Sequence, residues 1–71
     1  MDYLIGETAG NVYRYLTSNA GSPVPLDTVR KAVGGPTLVF HMAIGWLARE
    51  DKLSFSTRGR TAMVELAEKK P

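Results

Sequence analysis

Hydrophobic residues recur at helical spacing near the start of the chain. Steps of four, three and four residues separate the members of this stripe, which are Ile5, Ala9, Val12 and Leu16. This spacing places them on one face and predicts an amphipathic helix. Asn19 tolerates the left-handed conformation that ends helices, so we expect the helix to end near Ser18 or Asn19. Gly10 is a poor helix former inside this segment, which indicates that something packs closely against it.

A short extended segment and a second helix follow. Pro25 disfavours the helical conformation for the residue before it, so we expect Val24 to form a short edge strand. The next residues at helical spacing form the apolar face of a short helix: Leu26, Val29, Ala32 and Val33. Pro25 suits the first turn of this helix, and we expect Gly34 and Gly35 to end it.

The third predicted helix lies in the most apolar run of the chain. It begins near Pro36 and Thr37 and runs to about Glu50. At about 100° per residue, one broad arc faces the core and contains Val39, Met42, Ala43, Trp46 and Leu47. A residue after the helix takes the left-handed conformation, which Asp51 tolerates better than Lys52 does.

Alternating apolar and polar residues in the last part of the chain predict a β-hairpin. Its two strands flank a turn at Arg58-Gly59. A two-residue turn at this position sets Leu53 opposite Val64. It also sets Phe55 opposite Ala62, which gives the hairpin one apolar face. The opposite face then contains Ser54, Ser56, Thr61 and Met63.

Composition restricts the class of protein. The 71 residues predict a single domain, residues 1–71, with 44% hydrophobic and 23% charged residues. These fractions are ordinary for a globular domain and too apolar for a disordered chain. The net charge of +2 is compatible with nucleic-acid binding but is far from the basic excess that would indicate it.

The residues present also argue against several function classes. The chain has no cysteine and a single histidine, His41, so we expect no metal site and no cofactor. Glu50 and Asp51 fit helix capping better than acid–base chemistry, so we expect no enzyme activity and no small-molecule substrate. The apolar run from Thr37 to Ala48 is too short to span a bilayer. The acidic start of the chain, without a long apolar segment, predicts no signal peptide. We therefore expect a cytoplasmic protein with no membrane partner.

The order of elements is that of a winged helix-turn-helix, a mainly α (α+β) fold with three helices and a C-terminal β-hairpin wing. The helix-turn-helix covers about residues 25–50, and the wing covers about residues 53–66. Two segments, Ile5 to Gly10 (IGETAG) and Gly45 to Leu53 (GWLAREDKL), make the match closer. The chain resembles a family of small stand-alone prokaryotic winged-helix proteins that has no assigned biochemical function. The resemblance covers nearly the whole chain and implies the fold and a homodimer, but no binding residue.

The predicted outer face of the third helix lacks the side chains that read DNA bases. A winged helix that reads DNA places this helix in the major groove, where Arg, Lys, Asn or Gln contacts base edges. Thr37 and His41 are the polar residues at the centre of this face, and neither makes the paired contact that arginine makes with guanine. We therefore expect weak sequence specificity in any complex with duplex DNA.

The same outer face predicts a protein interface. Its members are Phe40, His41, Ile44, Gly45 and Ala48. Phe40 and Ile44 extend the apolar arc beyond what a three-helix core requires. Gly45 and Ala48 keep the surface flat, as a twofold homodimer would favour. The alternative is that the wing or the N-terminal segment covers Phe40 and Ile44, which would make them core residues.

Basic residues support DNA binding instead. Arg58 and Arg60 lie at the predicted wing tip, and Lys52 lies near the base of the wing. Arg30 and Lys31 end the second helix. Phosphate contacts by such residues would supply affinity without sequence discrimination. The alternative is that these charges are solvated surface groups.

Two functions therefore remain open from the sequence. The first is a non-enzymatic DNA-binding or transcription-associated module that uses mainly phosphate contacts. The alternative is a protein-interaction or homodimerisation module that uses the apolar outer face of the third helix. The two can coexist in a dimer that binds DNA through its wings.

Overall fold

Three helices and three strands form the part of the chain that the structure, a computed structural model, describes. The described residues are 2–19 and 22–67. In chain order the elements are α1 (Asp2–Ser18), β1 (Val24–Pro25), α2 (Leu26–Val33), α3 (Thr37–Arg49), β2 (Leu53–Arg58) and β3 (Thr61–Leu66). This is the predicted order, and each helix ends within a residue of its predicted position. The fold class is therefore confirmed.

The strands form one antiparallel sheet with the order β1-β3-β2. Val24, which the flanking prolines predict to be extended, pairs with Val64 and places β1 at one edge. The hairpin of β2 and β3 is the wing. Because β3 lies between the other two strands, the wing is anchored to the segment that leads into α2.

The turn of the wing lies one residue later than the sequence predicts. Arg58 pairs with Thr61, so the two turn residues are Gly59 and Arg60. Gly59 has φ 62°, which glycine adopts without strain at the first position of a two-residue hairpin turn. The predicted turn at Arg58-Gly59 is therefore wrong. The alternation of apolar and polar residues could not exclude the predicted turn, because the shift in pairing leaves the same residues on the same face of the hairpin.

The central strand buries side chains on both of its faces. Val64 is fully buried, and Met63 is 3% exposed. Met63 shares a face with Ser56, as predicted, but it is buried there because it has a neighbour on each side, Pro25 in β1 and Ser56 in β2. Phe55, opposite Val64, remains 48% exposed.

One core cluster joins all three helices to the sheet. Its members are Ala9, Val12, Leu16, Val24, Val29, Phe40, Ala43, Ile44, Leu47, Leu53 and Val64. The predicted stripe of α1 is confirmed, with Ile5 partly buried at its edge. On α2 the core face consists of Leu26, Val29 and Val33, whereas Ala32, which the spacing also placed there, is exposed.

The core face of α3 is turned relative to the predicted arc. Val39, Ala43 and Leu47 are buried as expected. Phe40 and Ile44 are buried as well, whereas Met42 and Trp46 are 42% and 46% exposed. The buried arc is therefore rotated by about 60° at 100° per residue. The physical reason is that Phe40 and Ile44 pack into one buried cluster with residues of α2 and the sheet, in addition to the contact between α3 and α1.

The end of α3 is fixed by backbone hydrogen bonds around a left-handed residue. Asp51 has φ 59°, which confirms the predicted exit position. The N–H of Asp51 donates to the carbonyl of Ala48 and the N–H of Lys52 donates to the carbonyl of Leu47, both at 3.0 Å. This pair of bonds is the Schellman arrangement, and it directs the chain from α3 into the first strand of the wing.

Candidate nucleic-acid and protein interfaces

The two arginines predicted at the tip of the wing lie there. Arg58 is the last residue of β2, and Arg60 is the second residue of the turn. Both are exposed. A hairpin turn projects from the sheet, so both guanidinium groups extend where a duplex could approach without displacing any part of the core.

A surface cleft connects the wing turn to both helices of the helix-turn-helix. Arg60 lines this cleft together with Arg30 of α2 and with Thr37 and His41 of α3. The cleft has a volume of about 430 Å³. Phe40 also lines it, and its ring meets the imidazole of His41 edge-on, with ring centroids 5.6 Å apart. Two arginines and a histidine from three elements therefore share one surface.

The cations at the end of α2 are paired with one carboxylate. The guanidinium of Arg30 lies 2.8 Å from Asp27 Oδ1, and Lys31 Nζ lies 3.3 Å from Asp27 Oδ2. Hydrogen bonds from Arg30 and then from Lys31 hold the pKa of Asp27 below its ordinary value. The three side chains together carry a net charge of +1, so this helix end remains cationic.

Lys52 lies apart from the other predicted phosphate-binding residues. It precedes β2, whereas Arg58 ends that strand, so the two are roughly 20 Å apart at about 3.3 Å per residue. Lys52 instead lines a groove with Tyr13 of α1 and accepts a backbone hydrogen bond from Ala67 at 2.9 Å. The structure therefore separates Lys52 from the cleft that Arg30 and Arg60 share.

Two of the residues predicted to form a protein interface are core residues. Phe40 is 1% exposed and Ile44 is 7% exposed, so neither can contact a partner without disruption of the domain. The alternative, in which they belong to the core, is correct for both. Of the remaining predicted interface residues, His41 and Gly45 are exposed and Ala48 is half-buried.

A different apolar strip occupies the outer face of α3. Its members are Leu38, Met42 and Trp46, which are 65%, 42% and 46% exposed. Steps of four residues align them along the helix, with Gly45 beside them. The sequence shows the spacing of these three residues, but it predicts Met42 and Trp46 in the core because their spacing suits a buried arc equally well.

The exposed face of α3 has two chemically different flanks. Thr37 and His41 border the cleft that contains Arg30 and Arg60. Met42 and Trp46 lie on the other flank, where they line a second cleft with Ile5 of α1. A polar, cationic surface and an apolar surface therefore lie on opposite flanks of the same helix.

Among the described residues, no three His, Cys, Asp or Glu side chains are grouped closely enough to hold a metal ion. None of the described helices combines the length and the apolar character that crossing a bilayer requires.

A helix-turn-helix of α2 and α3, completed by α1 and a three-stranded sheet with a wing, defines a winged helix-turn-helix domain. Winged helix domains are typically binding modules. Residues 1–66 match the winged helix-turn-helix domain family DUF2582, and the chain belongs to that family.

One protein is similar to this chain in sequence, and one solved structure is similar to it in fold. The chain is 43% identical over 49 residues to the uncharacterized protein MJ1608 of Methanocaldococcus jannaschii, an alignment that covers 69% of this chain and 70% of the relative. It is also similar to the solution NMR structure of protein BT2368 from Bacteroides thetaiotaomicron, with a TM-score of 0.72 and 27% identity. That superposition covers 93% of this chain and 79% of the other.

Proposed function

We propose that the protein is a non-enzymatic module that binds duplex DNA mainly through phosphate contacts. The observation that carries this proposal is the convergence of Arg60 from the wing and Arg30 from α2 on one cleft beside Thr37 and His41. Arg58 and Lys31 extend the same cationic surface on the wing and on α2. Such a module would be cytoplasmic and would act in transcription regulation.

The side chains of α3 support binding with little sequence discrimination. Base reading in the major groove relies mainly on paired hydrogen bonds from Arg, Lys, Asn or Gln. Between Thr37 and Arg49, α3 contains none of these except Arg49 itself, at its C-terminal end. The N-terminal half, which a helix-turn-helix brings closest to base edges, offers Thr37 and His41. Phosphate contacts would therefore supply most of the affinity.

Fluorescence anisotropy with a random-sequence duplex, titrated over a range of salt concentrations, tests this proposal. Replacement of both Arg58 and Arg60 by Ala should weaken binding. It should also lower the slope of log affinity against log salt by about 1.8, since each lost phosphate contact removes about 0.9. Lys52→Ala is the matched control: it removes one charge at the far end of the wing and should leave the slope unchanged. An unaltered slope in the double variant would refute the proposal.

A second function is favoured by the apolar strip on α3. Leu38, Met42 and Trp46 expose large apolar side chains in a row, and such a surface typically marks a contact with another protein. We propose that the strip pairs with its copy in a homodimer, because a twofold axis brings the same surface of each protomer together. The cationic cleft lies on the other flank of α3, so self-association and DNA binding are compatible.

Analytical ultracentrifugation at high micromolar concentration tests the dimer. Met42→Asp should give a folded monomer, because it places a charge at the centre of the strip. Phe55→Asp, which alters a similarly exposed apolar residue on the wing, is the control and should remain a dimer. A wild-type protein that sediments as a monomer would contradict this second function.

A further inference from the structure

A groove between α1 and the C-terminal half of α3 shares no residue with the cationic cleft, and it shares Trp46 with the apolar strip. Residues from both helices line it, and its volume is about 520 Å³. Clefts that bind small molecules range from about 300 to 1,000 Å³, so this groove is large enough for a small organic ligand. Its chemistry follows from three features: the floor, the aromatic walls and the charges at its rim.

Glycines form the floor of the groove. A Cβ atom added to Gly6 would lie 3.4 Å from Cζ3 of Trp46, so the edge of the indole rests on the backbone of α1. A Cβ atom added to Gly10 would lie 3.5 Å from the guanidinium of Arg14 and would meet no other element. The group that packs closely against Gly10 is therefore a side chain of its own helix, whereas the contact between helices is at Gly6.

Two half-exposed aromatic rings form the walls. Trp46 is 46% exposed and Tyr13 is 44% exposed, and both line the groove. Gly6 and Tyr13 are seven residues apart on α1, about 10.5 Å along the helix axis. A planar ring placed between the two walls would lie beside both aromatic side chains and the apolar side chain of Leu47, which also lines the groove. Aromatic pairs of this kind are favourable beyond their buried area.

The charges at the rim favour an anion. Arg14 and Lys52 line the groove with a single acid, Glu50, which gives the rim a net charge of +1. Within residues 2–19 and 22–67 every ion pair involves Asp27, so neither cation is neutralised by a carboxylate. Arg14 donates one hydrogen bond to Asn11 Oδ1. The guanidinium group has five donors, so others remain for a carboxylate ligand.

We propose that this groove binds a small planar aromatic carboxylate. The ring lies between Trp46 and Tyr13 above the glycine floor, and the carboxylate accepts hydrogen bonds from Arg14 with Lys52 nearby. This ligand class departs from the expectation, drawn from the sequence, that the protein has no small-molecule substrate. The proposal does not depend on DNA binding or on the homodimer, because it is argued from the glycine floor, the aromatic rings and the cations of the groove. Trp46 is the residue that it shares with the apolar strip.

Two-dimensional ¹H–¹⁵N NMR of the full chain, titrated with 2-naphthoate, tests the proposal. Trp46 is the single tryptophan, so its indole N–H gives one resolved signal inside the groove. We expect saturable shifts of that signal and of the amides of Gly6 and Gly10. The neutral analogue 2-naphthamide should bind at least tenfold more weakly, because it lacks the charge that Arg14 recognises. Equal binding of the amide, or no saturable shift with naphthoate, would overturn the proposal.

Three variants locate the binding. Gly10→Leu fills the floor with a better helix former and should abolish the naphthoate shifts while the domain stays folded. Arg14→Gln should weaken binding about tenfold, and Glu50→Gln should strengthen it two- to threefold by removing the acid at the rim. Arg49→Gln is the matched control, since Arg49 lines the cleft on the other side of Trp46. Unchanged binding in both Gly10→Leu and Arg14→Gln would place the ligand elsewhere and overturn the assignment.

Discussion

The carboxylate of Asp27 accepts two hydrogen bonds from Arg30, from Nε at 3.0 Å and from Nη2 at 2.8 Å. Lys31 approaches the other oxygen of the same carboxylate. Two of the cations that we propose to contact DNA are thus held by one acid on the same helix. The acid positions the side chains, and it also lowers the positive potential that a phosphate would experience.

Asp27→Asn should therefore increase the affinity for duplex DNA. Removal of the negative charge raises the net charge of this helix end from +1 to +2, and we expect tighter binding by a factor of two to three at low salt. Anisotropy with the random-sequence duplex measures the change. Glu7→Gln on α1 alters the total charge equally at an exposed position away from the cleft. If both variants tighten binding by the same factor, the effect belongs to the total charge and not to this helix end.

The ion pairs of Asp27 also make a pH-dependent contribution to stability. The pKa of Asp27 is lowered in the folded protein, chiefly by its hydrogen bond with Arg30. The folded state therefore binds the proton less tightly than the unfolded state, and the stabilisation is present above the ordinary pKa of about 3.9. It is lost as the pH falls through the lower, folded-state pKa.

Urea unfolding at two pH values measures this contribution. Wild type should unfold at a slightly higher urea concentration than Asp27→Asn at pH 7, and the two midpoints should converge near pH 2. Because the side chain of Asp27 is 62% exposed, the difference at pH 7 should be small. A difference that grows as the pH falls would contradict this account of the pair.

Local chemistry was sufficient to predict the elements and their ends. Pro25 and Gly34 bound α2, and Asp51 tolerates the conformation that ends α3. These effects act within a few residues along the chain, so they can be seen without knowledge of the tertiary fold. The positions of Arg58 and Arg60 near the wing tip follow from the same local signals, even though the turn itself is one residue later.

The orientation of α3 could not be predicted in the same way. Phe40 and Met42 both suit a buried arc at helical spacing, and only the positions of the surrounding elements decide between them. The sheet and α2 cover the side of Phe40, which leaves Met42 outside. For this reason the predicted interface residues Phe40 and Ile44 are buried, and Met42 and Trp46 are exposed in their place.

Substitutions on α3 should reveal this orientation directly. Phe40 is fully buried, so Phe40→Ala should reduce the free energy of unfolding by about 3 to 5 kcal/mol. Leu38 is 65% exposed, so Leu38→Ala should change it by less than about 0.5 kcal/mol. Urea denaturation at a protein concentration too low for dimer formation measures both free energies of unfolding. A larger effect for Leu38 than for Phe40 would show that the buried face of α3 is wrongly assigned.

The left-handed residue after α3 offers a stabilising substitution. Asp51 has φ 59°, a conformation that strains residues with a Cβ atom and that glycine adopts freely. Asp51→Gly relieves that strain, and this gain exceeds the cost of the more flexible unfolded chain, so we expect an increase in the free energy of unfolding of up to about 1 kcal/mol.

Glu50→Gly is the control for this substitution. Glu50 precedes Asp51 and has φ −83°, so glycine relieves no strain there and adds only flexibility to the unfolded chain. Urea unfolding should therefore show opposite signs for the two glycine variants, with Asp51→Gly more stable than wild type and Glu50→Gly less stable. Loss of stability in both variants would mean that the Asp51 side chain contributes more to the end of α3 than the left-handed backbone costs.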